Sequence, residues 1–225
     1  MKPRIDAVRF LSSLFRSRLI WLAHLGVVVA AIFLPAALLN AALPTPEEAP
    51  KHPSLVGQLL VASPEMGDPR FYHAVILVVR HDRNGAMGII INRPVEDRSL
   101  ASLLEALGDT NTGIVGSVRI FAGGPVEPEI GFVPHTADYH RPETVDIDGR
   151  VAMTSSPQVL RDIGAGQGPR KSLLAFGYAG WRPGQLEGEL GQRAWLAAAD
   201  DEGLIFDEDR DKLWGEAMKR RTQDL

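Results

Sequence analysis

Apolar and polar residues alternate along this chain in blocks that predict strands, turns and helices from residue 58 to residue 219. Short apolar runs, almost uninterrupted, predict strands that are covered on both faces. Polar turns ending in glycine, H-D-R-N-G at 81–85 and Asp148-Gly149, predict hairpins. The predicted strands are 58–62, 74–80, 87–92, 118–122, 131–134, 144–147, 150–154, 172–177 and 195–198.

Helices are predicted where the apolar period lengthens to three or four residues. In the segment 97–107 four leucines recur at i, i+3, i+4 and i+7, and Gly108 follows as a stop. Ser156 as N-cap and Pro157 at the first helical position predict a helix that ends at Gly164. Further helices are predicted at 183–190 and 209–219. Hairpins mixed with helices, without regular βαβ alternation, predict an α+β fold with a mostly antiparallel or mixed sheet.

The densest glycine cluster is F-G-Y-A-G-W-R-P-G-Q-L-E-G-E at 176–189. Glycine at this density is typical of backbone that takes positive φ or lets another chain approach closely. Because Tyr178 and Trp181 are costly to expose, the segment predicts a packed turn. Core packing of these two rings and of Trp195 is favoured over a role in lining a ligand cleft.

The first 55 residues have a different pattern. Residues 1–18 form a basic tail, and no charged residue occurs from 19 to 46. The apolar run at 19–43 is long enough to cross a hydrocarbon layer of roughly 30 Å, so it predicts a single-pass membrane helix. A proline-rich linker at 44–55 and a domain at 56–225 follow. A cleaved signal peptide and a start placed too far upstream are the alternatives.

Charge is distributed unevenly between tail and body. The chain has 24 basic and 28 acidic residues, of which five basic residues and one acidic residue precede Leu19. The body, residues 19–225, therefore has 19 basic and 27 acidic residues and a net charge of −8. A body this acidic repels phosphate backbones, so direct binding of nucleic acid is not expected. The basic tail predicts a cytoplasmic N-terminus and an exported body. The chain has no cysteine, which excludes disulfides and thiolate nucleophiles.

Six motifs in unbroken order carry a family resemblance. They are L-L-V-A-S-P-E-M-G-D-P-R-F (59–71), H-D-R-N-G-A-M-G-I-I-I-N-R-P (81–94), G-G-P-V (123–126), G-F-V-P-H (131–135), T-S-S-P-Q-V-L (154–160) and G-Y-A-G-W-R-P-G-Q-L-E-G-E-L (177–190). On these motifs the body resembles the YqgE/AlgH family of bacterial proteins. The resemblance implies a strongly bent, bifurcated sheet that forms a pseudo-barrel with flanking helices, and it implies a cytoplasmic location. It implies no established activity, although the family carries the label of transcriptional regulator.

Two features depart from the family pattern. Members of the family lack a membrane segment, so the side of the membrane on which the body lies stays open. Pro134 stands where a leucine is usual before the histidine, which affects the end of the predicted strand.

Several groups have the residue types of a catalytic or metal site, but each has a sufficient structural explanation. His135, Asp138 and His140 do not have the spacing of a common metal site. Ser155 and Ser156 lack a G-x-S-x-G elbow. His81-Asp82 and the pair Asp146 and Asp148 each lie at a predicted hairpin turn, and Glu187 and Glu189 are two residues apart on a helix, so they face different sides. The glycine loop at 164–168 precedes a strand, whereas a phosphate-binding loop precedes a helix.

A shared position at strand ends predicts one binding pocket. Its predicted members are Asn92, Arg93, Gly123, Gly124, Ser155, Tyr178, Trp181 and Gln185. No metal ligand, cofactor or catalytic residue is predicted.

The function predicted from these observations is that of a non-enzymatic regulatory or binding protein, tethered to the membrane, with a protein partner or a small ligand. One alternative is a small hydrolase or transferase that uses the neighbourhood of Asn92, Ser155 and Tyr178. The other is a transcriptional regulator that acts through protein partners.

Overall fold

A computed structural model describes residues 53–109, 113–199, 201–207 and 209–221. The predicted tail at 1–18 and the apolar segment at 19–43 lie outside the described residues, as does most of the linker. The strands are β1 Leu59–Ala62, β2 Val75–Asp82, β3 Gly85–Ile90, β4 Pro94–Ser99, β5 Ser117–Ala122, β6 Val126–Thr136, β7 Val145–Asp146, β8 Val151–Thr154, β9 Leu174–Trp181 and β10 Trp195–Ala198. The helices are α1 Leu100–Ala106, α2 Gln158–Gly164, α3 Gln185–Gly191, α4 Glu202–Ile205 and α5 Arg210–Lys219.

The strands form one curled sheet that forks at β9. The main path runs β10-β1-β2-β3-β9-β6-β8-β7, while β5 pairs with β9 and β4 pairs with β5. All pairs are antiparallel except β5 with β9. The predicted α+β class and mixed sheet are therefore confirmed. The curl is that of a half-barrel, because β10 and β7, at the two ends of the described path, are not paired with each other.

The central strands are covered on both faces, as their continuous apolar runs predict. Leu59 and Val61 of β1 enter one core, while Leu60 and Ala62 enter another on the opposite face of the sheet. This alternation follows from the period of two along a strand. A third core lies under α1 and α2, where Leu104 and Leu160 pack with Leu174 of β9.

Several predicted elements have different bounds in the structure. The segment 97–99 belongs to β4, and α1 begins after it with Ser99 as N-cap, whose hydroxyl accepts the Ser102 amide at 3.1 Å. Strand β4 was not predicted, because all six of its residues are exposed and give no apolar signal. Pro157 is the N-cap of α2, which begins without a side-chain cap, so the predicted capping by Ser156 is not found.

The glycine-rich segment is also different from the prediction. Phe176 to Trp181 is not a turn but the last six of the eight residues of β9, and the chain turns only after Trp181, ahead of Gly184 and α3. Gly177 occurs in this strand because the backbone of the neighbouring segment approaches it so closely that no side chain fits.

The predicted location in the membrane is corrected. In the part of the chain that the structure describes, every helix is too short or too polar to cross a bilayer. The predicted membrane location therefore finds no support in the described residues, the predicted segment at 19–43 lies outside them, and the domain at 56–225 is treated below on its own.

Three glycines meet at the fork in the sheet. The Gly123 amide donates to the Phe176 carbonyl at 2.7 Å, and the Gly123 carbonyl accepts the Ile90 amide at 2.8 Å. A Cβ on Gly124 would lie 2.0 Å from the carbonyl carbon of Tyr178, and a Cβ on Gly177 would lie 2.3 Å from the Gly124 oxygen. Such distances are far below van der Waals contact, so this crossing (Gly123, Gly124, Gly177 and Tyr178) requires glycine at three positions.

Replacement of Gly177 by alanine tests this crossing against a matched control. Gly177 and Gly184 have almost the same φ, 75° and 74°, but only Gly177 has backbone within contact distance. We expect Gly184→Ala to lower the free energy of unfolding by about 1–2 kcal/mol, the cost of left-handed backbone in alanine. Gly177→Ala carries an overpacking cost of about 1–3 kcal/mol or more on top of it. Urea unfolding followed by tryptophan fluorescence measures both, and equal losses would contradict the crossing.

Candidate functional site

Asn92 and Arg93, two members of the predicted pocket, hold the loop that leads into β2. The Asn92 side chain accepts the Val75 amide at 2.9 Å and donates to the His73 carbonyl at 2.8 Å. The Arg93 guanidinium donates to the Tyr72 carbonyl at 3.0 Å and to the Arg70 carbonyl. Both side chains therefore fix backbone.

Tyr178 belongs to the glycine crossing with Gly123 and Gly124. Its ring packs edge-on against Phe132, with centroids 6.0 Å apart, at the border of the first core. Burial raises the pKa of Tyr178, and the negative charge of Glu127 adds to that rise while Arg80 opposes it. The phenol is consequently a poor proton donor near neutral pH.

Trp181 and Gln185 meet elsewhere, around one carboxylate of α3. Oε2 of Glu189 accepts the indole N–H of Trp181 and that of Trp195, each at 2.8 Å. Oε1 of Glu189 accepts the Gln185 amide at 2.9 Å. Trp181 and Trp195 are buried and packed edge to face, so the predicted core role of these two rings is confirmed.

Ser155 follows β8, which is separated from β9 by β6. The Arg93 carbonyl accepts the Ala122 amide at 2.9 Å, so Asn92 and Arg93 adjoin the glycine crossing, while Trp181 and Gln185 belong to the Glu189 cluster and Ser155 to the end of β8. Of the residues behind the hydrolase or transferase alternative, Asn92 and Tyr178 therefore lie at or beside the crossing, and Ser155 follows β8. The predicted pocket stays a prediction, but most of its polar side chains already have partners within the protein.

The other polar groups weighed in the sequence take part in local structure. His81 accepts the Leu55 amide on Nδ1 at 3.1 Å, so its proton lies on Nε2 and is donated to Glu187 at 2.9 Å. Asp146 and Asp148 accept backbone amides of their own hairpin turn, as predicted. Among the described residues no three His, Asp or Glu side chains converge as a metal ligand set.

His135 is the most deeply buried titratable side chain of that group. Its Nδ1 donates to the Thr136 carbonyl at 2.9 Å, while Nε2 is buried with no hydrogen-bond partner in the described structure. Burial is the main reason that the pKa of His135 is lowered, and the charge of His140 acts in the same direction. The Thr136 bond and the charge of Asp138 oppose that shift.

A buried polar network lies beside His135. The Tyr139 ring packs edge-on against the imidazole at 5.3 Å, and its hydroxyl donates to Asp162 at 2.6 Å. Arg141 and Gln158 also donate to Asp162. Burial alone would raise the pKa of Asp162, but these three donors outweigh it and lower that pKa. The network fixes α2 against the turn that follows β6.

A groove with a volume of about 550 Å³ lies between β5, the segment that enters β9 and the C-terminal helices. We call it the cationic groove, because four of its five charged lining side chains are basic. Phe121 and Phe206 give it an apolar base. The charged residues of its lining are Asp97, Arg119, Arg170, Lys171 and Arg210.

Strand register and backbone bonds position the cations of this groove. Arg119 lies directly opposite Asp97 in the β4–β5 pair and donates to it at 2.9 Å. That bond, with the charge of Arg119, lowers the pKa of Asp97 despite a small opposing effect of burial. Arg210 is buried, donates to the Ile205 carbonyl at 2.8 Å and lies 5.2 Å above the Phe121 ring.

Arg170 and Lys171 are held at the backbone, while their charged ends make only long ion-pair contacts. The Arg170 amide donates to Asp138 at 3.1 Å, and the Lys171 amide donates to the Thr136 hydroxyl at 3.3 Å. The charged ends are about half exposed or more; both contact Glu202, at 3.7 and 3.9 Å, and Arg170 also contacts Asp138 at 3.5 Å. These long contacts are weak, so an incoming anion can replace them at low cost.

The cationic groove contains none of the eight residues of the predicted pocket. Its cations come from distant parts of the sequence, and each alone is typical of a solvated surface. The only local signal was the Pro169-Arg170-Lys171 run after the glycine loop.

Comparison with known proteins confirms the predicted family. Residues 59–225 match the profile of the family described as AlgH-like (DUF179). Similar proteins include the "UPF0301 protein" of Rhizorhabdus wittichii, 45% identical over 166 residues that cover 74% of this chain and 89% of that protein. The "UPF0301 protein" of Caulobacter vibrioides is 45% identical over 168 residues, which cover 74% of this chain and 86% of that protein. The family match begins after the predicted membrane segment and lends it no support.

Two solved structures resemble the fold. The solution structure of the AlgH protein from Pseudomonas aeruginosa has a TM-score of 0.62 and 38% identity, and the match covers 78% of this chain and 92% of that one. The crystal structure of a Corynebacterium diphtheriae protein has a TM-score of 0.58 and 20% identity, with 75% and 87% covered. The second likeness concerns the fold alone.

The lowered pKa of His135 predicts a pH dependence of stability. Since the folded pKa lies below the unfolded value of about 6.5, the unfolded chain binds the proton first. The stability associated with neutral His135 is complete above that value and is lost as the pH falls toward the folded pKa. We expect the free energy of unfolding to decrease between pH 7.5 and 5.5, and His135→Phe to flatten that slope.

Urea unfolding at several pH values measures this slope. Val115→Ala, at a strongly exposed position without a titratable group, is the control and keeps the wild-type pH dependence. An unchanged slope in His135→Phe would show that other groups cause it.

Proposed function

This chain belongs to the AlgH-like family, and from that premise we propose that it is a non-enzymatic binding protein that takes a small anionic ligand in the cationic groove. The observation that carries the proposal is a reversal of charge. The body has a net charge of −8, yet the lining of the groove has four basic side chains and one acidic one, with Asp138 and Glu202 in long contacts beside it. Because low-dielectric walls focus the field of such a cluster, the groove attracts anions that the remaining surface repels.

The size of the groove supports a small ligand. A volume of about 550 Å³ lies within the range of roughly 300–1,000 Å³ that is usual for small-molecule sites. Phe121 and Phe206 offer apolar contact below the charges, so the ligand that fits best combines an anionic group with an apolar part. Arg119 and Arg210 are anchored by neighbouring groups, whereas Arg170 and Lys171 retain tips that can turn toward a ligand.

The polar lining supports binding over turnover. Ser117 and Ser172 are the hydroxyl groups of the lining, and no histidine accompanies them among the lining residues described. A serine nucleophile requires an adjacent base, so these hydroxyls are better suited to donate hydrogen bonds to a bound anion.

Pyrophosphate is a suitable probe of the groove. We expect saturable changes in the backbone amide signals of residues 117–121 and 169–173 when the full chain is titrated with it at low ionic strength. The double variant Arg170→Gln/Lys171→Gln should bind roughly a hundredfold more weakly, because each of the two lost charge-assisted hydrogen bonds costs about 1.5 kcal/mol. Added salt should weaken binding in the wild type more than in the variant.

A matched control lies on the neighbouring strand. Arg98 is exposed, is paired with Glu96 at 3.0 Å and lies outside the groove lining, so Arg98→Gln should bind as the wild type does. An equal loss of pyrophosphate affinity in Arg98→Gln would show that the affinity depends only on the net charge of the protein, and it would contradict a specific site. Release of phosphate from the probe would contradict the non-enzymatic part of the proposal.

A further inference from the structure

Three aromatic rings form a stack at the surface, away from the lining of the cationic groove. The Tyr72 and His73 rings are 4.0 Å apart with an interplanar angle of 20°, and the His73 and Trp214 rings are 4.0 Å apart at 23°. We call this set the aromatic stack. Trp214 belongs to α5, and its indole N–H donates to the Ala62 carbonyl at 2.8 Å, which fixes the inner ring.

The backbone of the stack is held in a costly conformation. His73 has a φ of 54°, in the left-handed region that non-glycine residues avoid at a cost of about 1–2 kcal/mol. Asn92 bonds to the His73 carbonyl, and Arg93 bonds to the carbonyl of Tyr72, so two side chains from beyond β3 hold the strained turn. Strain that surrounding residues maintain in this way is characteristic of functional sites.

The outer face of the stack is open. Tyr72 is 56% exposed although His73 covers one face of its ring, so much of its accessible area lies on the opposite face. Packing of α5 explains the inner contact between His73 and Trp214. It does not explain why Tyr72 is held parallel to them with its other face in solvent.

We propose that the aromatic stack binds the heteroaromatic base of a mononucleotide, which stacks on the outer face of Tyr72. Aromatic rings with an accessible face are the platforms on which bases stack in nucleic-acid-binding proteins, and here the outer ring is backed by two more rings at successive centroid distances of 4.0 Å. Arg93, which donates to backbone carbonyls of the same loop, adds a positive charge that favours an anionic ligand over a neutral one, whereas the charge of Arg70 is paired with Asp68. The net charge of −8 in the body disfavours a long strand, whose affinity depends on many phosphate contacts.

Adenosine 5′-monophosphate and ribose 5-phosphate form a matched pair of probes, since only the first has a base. In the full chain we expect AMP to shift the indole N–H signal of Trp214 and the amide signals of residues 70–73, with saturation. Ribose 5-phosphate should leave the Trp214 signal unchanged at the same concentration.

Variants of Tyr72 separate stacking from charge. Tyr72→Phe retains the ring and should bind AMP within about twofold of the wild type, while Tyr72→Ala should bind roughly fivefold more weakly or worse. Val95→Ala removes another strongly exposed apolar side chain and should leave binding unchanged. Because Tyr72 is exposed, the folded state is expected to survive both substitutions, and the amide spectrum of each variant reports this directly.

Four results would overturn the proposal. Equal shifts with ribose 5-phosphate would mean that the loop recognises phosphate alone. Unchanged AMP affinity in Tyr72→Ala would exclude stacking on that ring. Tighter binding of a single-stranded oligonucleotide than of AMP at physiological salt would identify a strand as the ligand. AMP shifts confined to Arg170 and Lys171 would also contradict the stack while supporting the groove, so the two sites can fail separately.

Discussion

The close contact of Gly123 and Gly124 with Gly177 and Tyr178 determines the arrangement of the other elements. At this crossing, β9 pairs with β5 and β6 along its first half and with β3 along its second half. Side chains at the crossing would separate the backbones and break one of these pairings. The fork in turn places β5 beside the segment that enters β9, which is where the cationic groove forms. A steric constraint at three glycines thus underlies both the curl of the sheet and the position of a binding surface.

The sequence was informative where burial is regular and uninformative where contacts are long-range. Continuous apolar runs identified β1, β2 and β3, since strands buried on both faces have this pattern. They did not identify β4, whose exposed residues P-V-E-D-R-S are ordered by pairing with β5. The turn predicted at 176–181 is a strand, because local glycine density cannot show whether the chain reverses or another chain approaches. The family was recognisable from motifs alone.

The predicted pocket stays a prediction, and the sequence could not have indicated the cationic groove, for a related reason. Asn92, Ser155 and Gln185 were grouped because each follows a strand, but the order of the strands in the sheet, which decides which strand ends are neighbours, is not visible in the sequence. The cationic groove draws its charges from β5, from the entry to β9 and from α5, and such convergence depends on the tertiary fold. Helix α5 connects the two surfaces that we propose as binding sites, because Arg210 at its start lines the groove and Trp214, one turn later, supports the aromatic stack. Docking of this short helix therefore shapes both.

The pairing of β1 has a consequence for biosynthesis. One edge of β1 bonds to β2, close in sequence, but the other bonds to β10, and Trp214 reaches the carbonyl of Ala62 across 152 residues. While the chain emerges from the ribosome, one edge of β1 stays unpaired until nearly all of the domain has been translated. An open strand edge of this kind invites pairing with other chains, so the nascent protein passes through a long interval in which it depends on dilution or on chaperones.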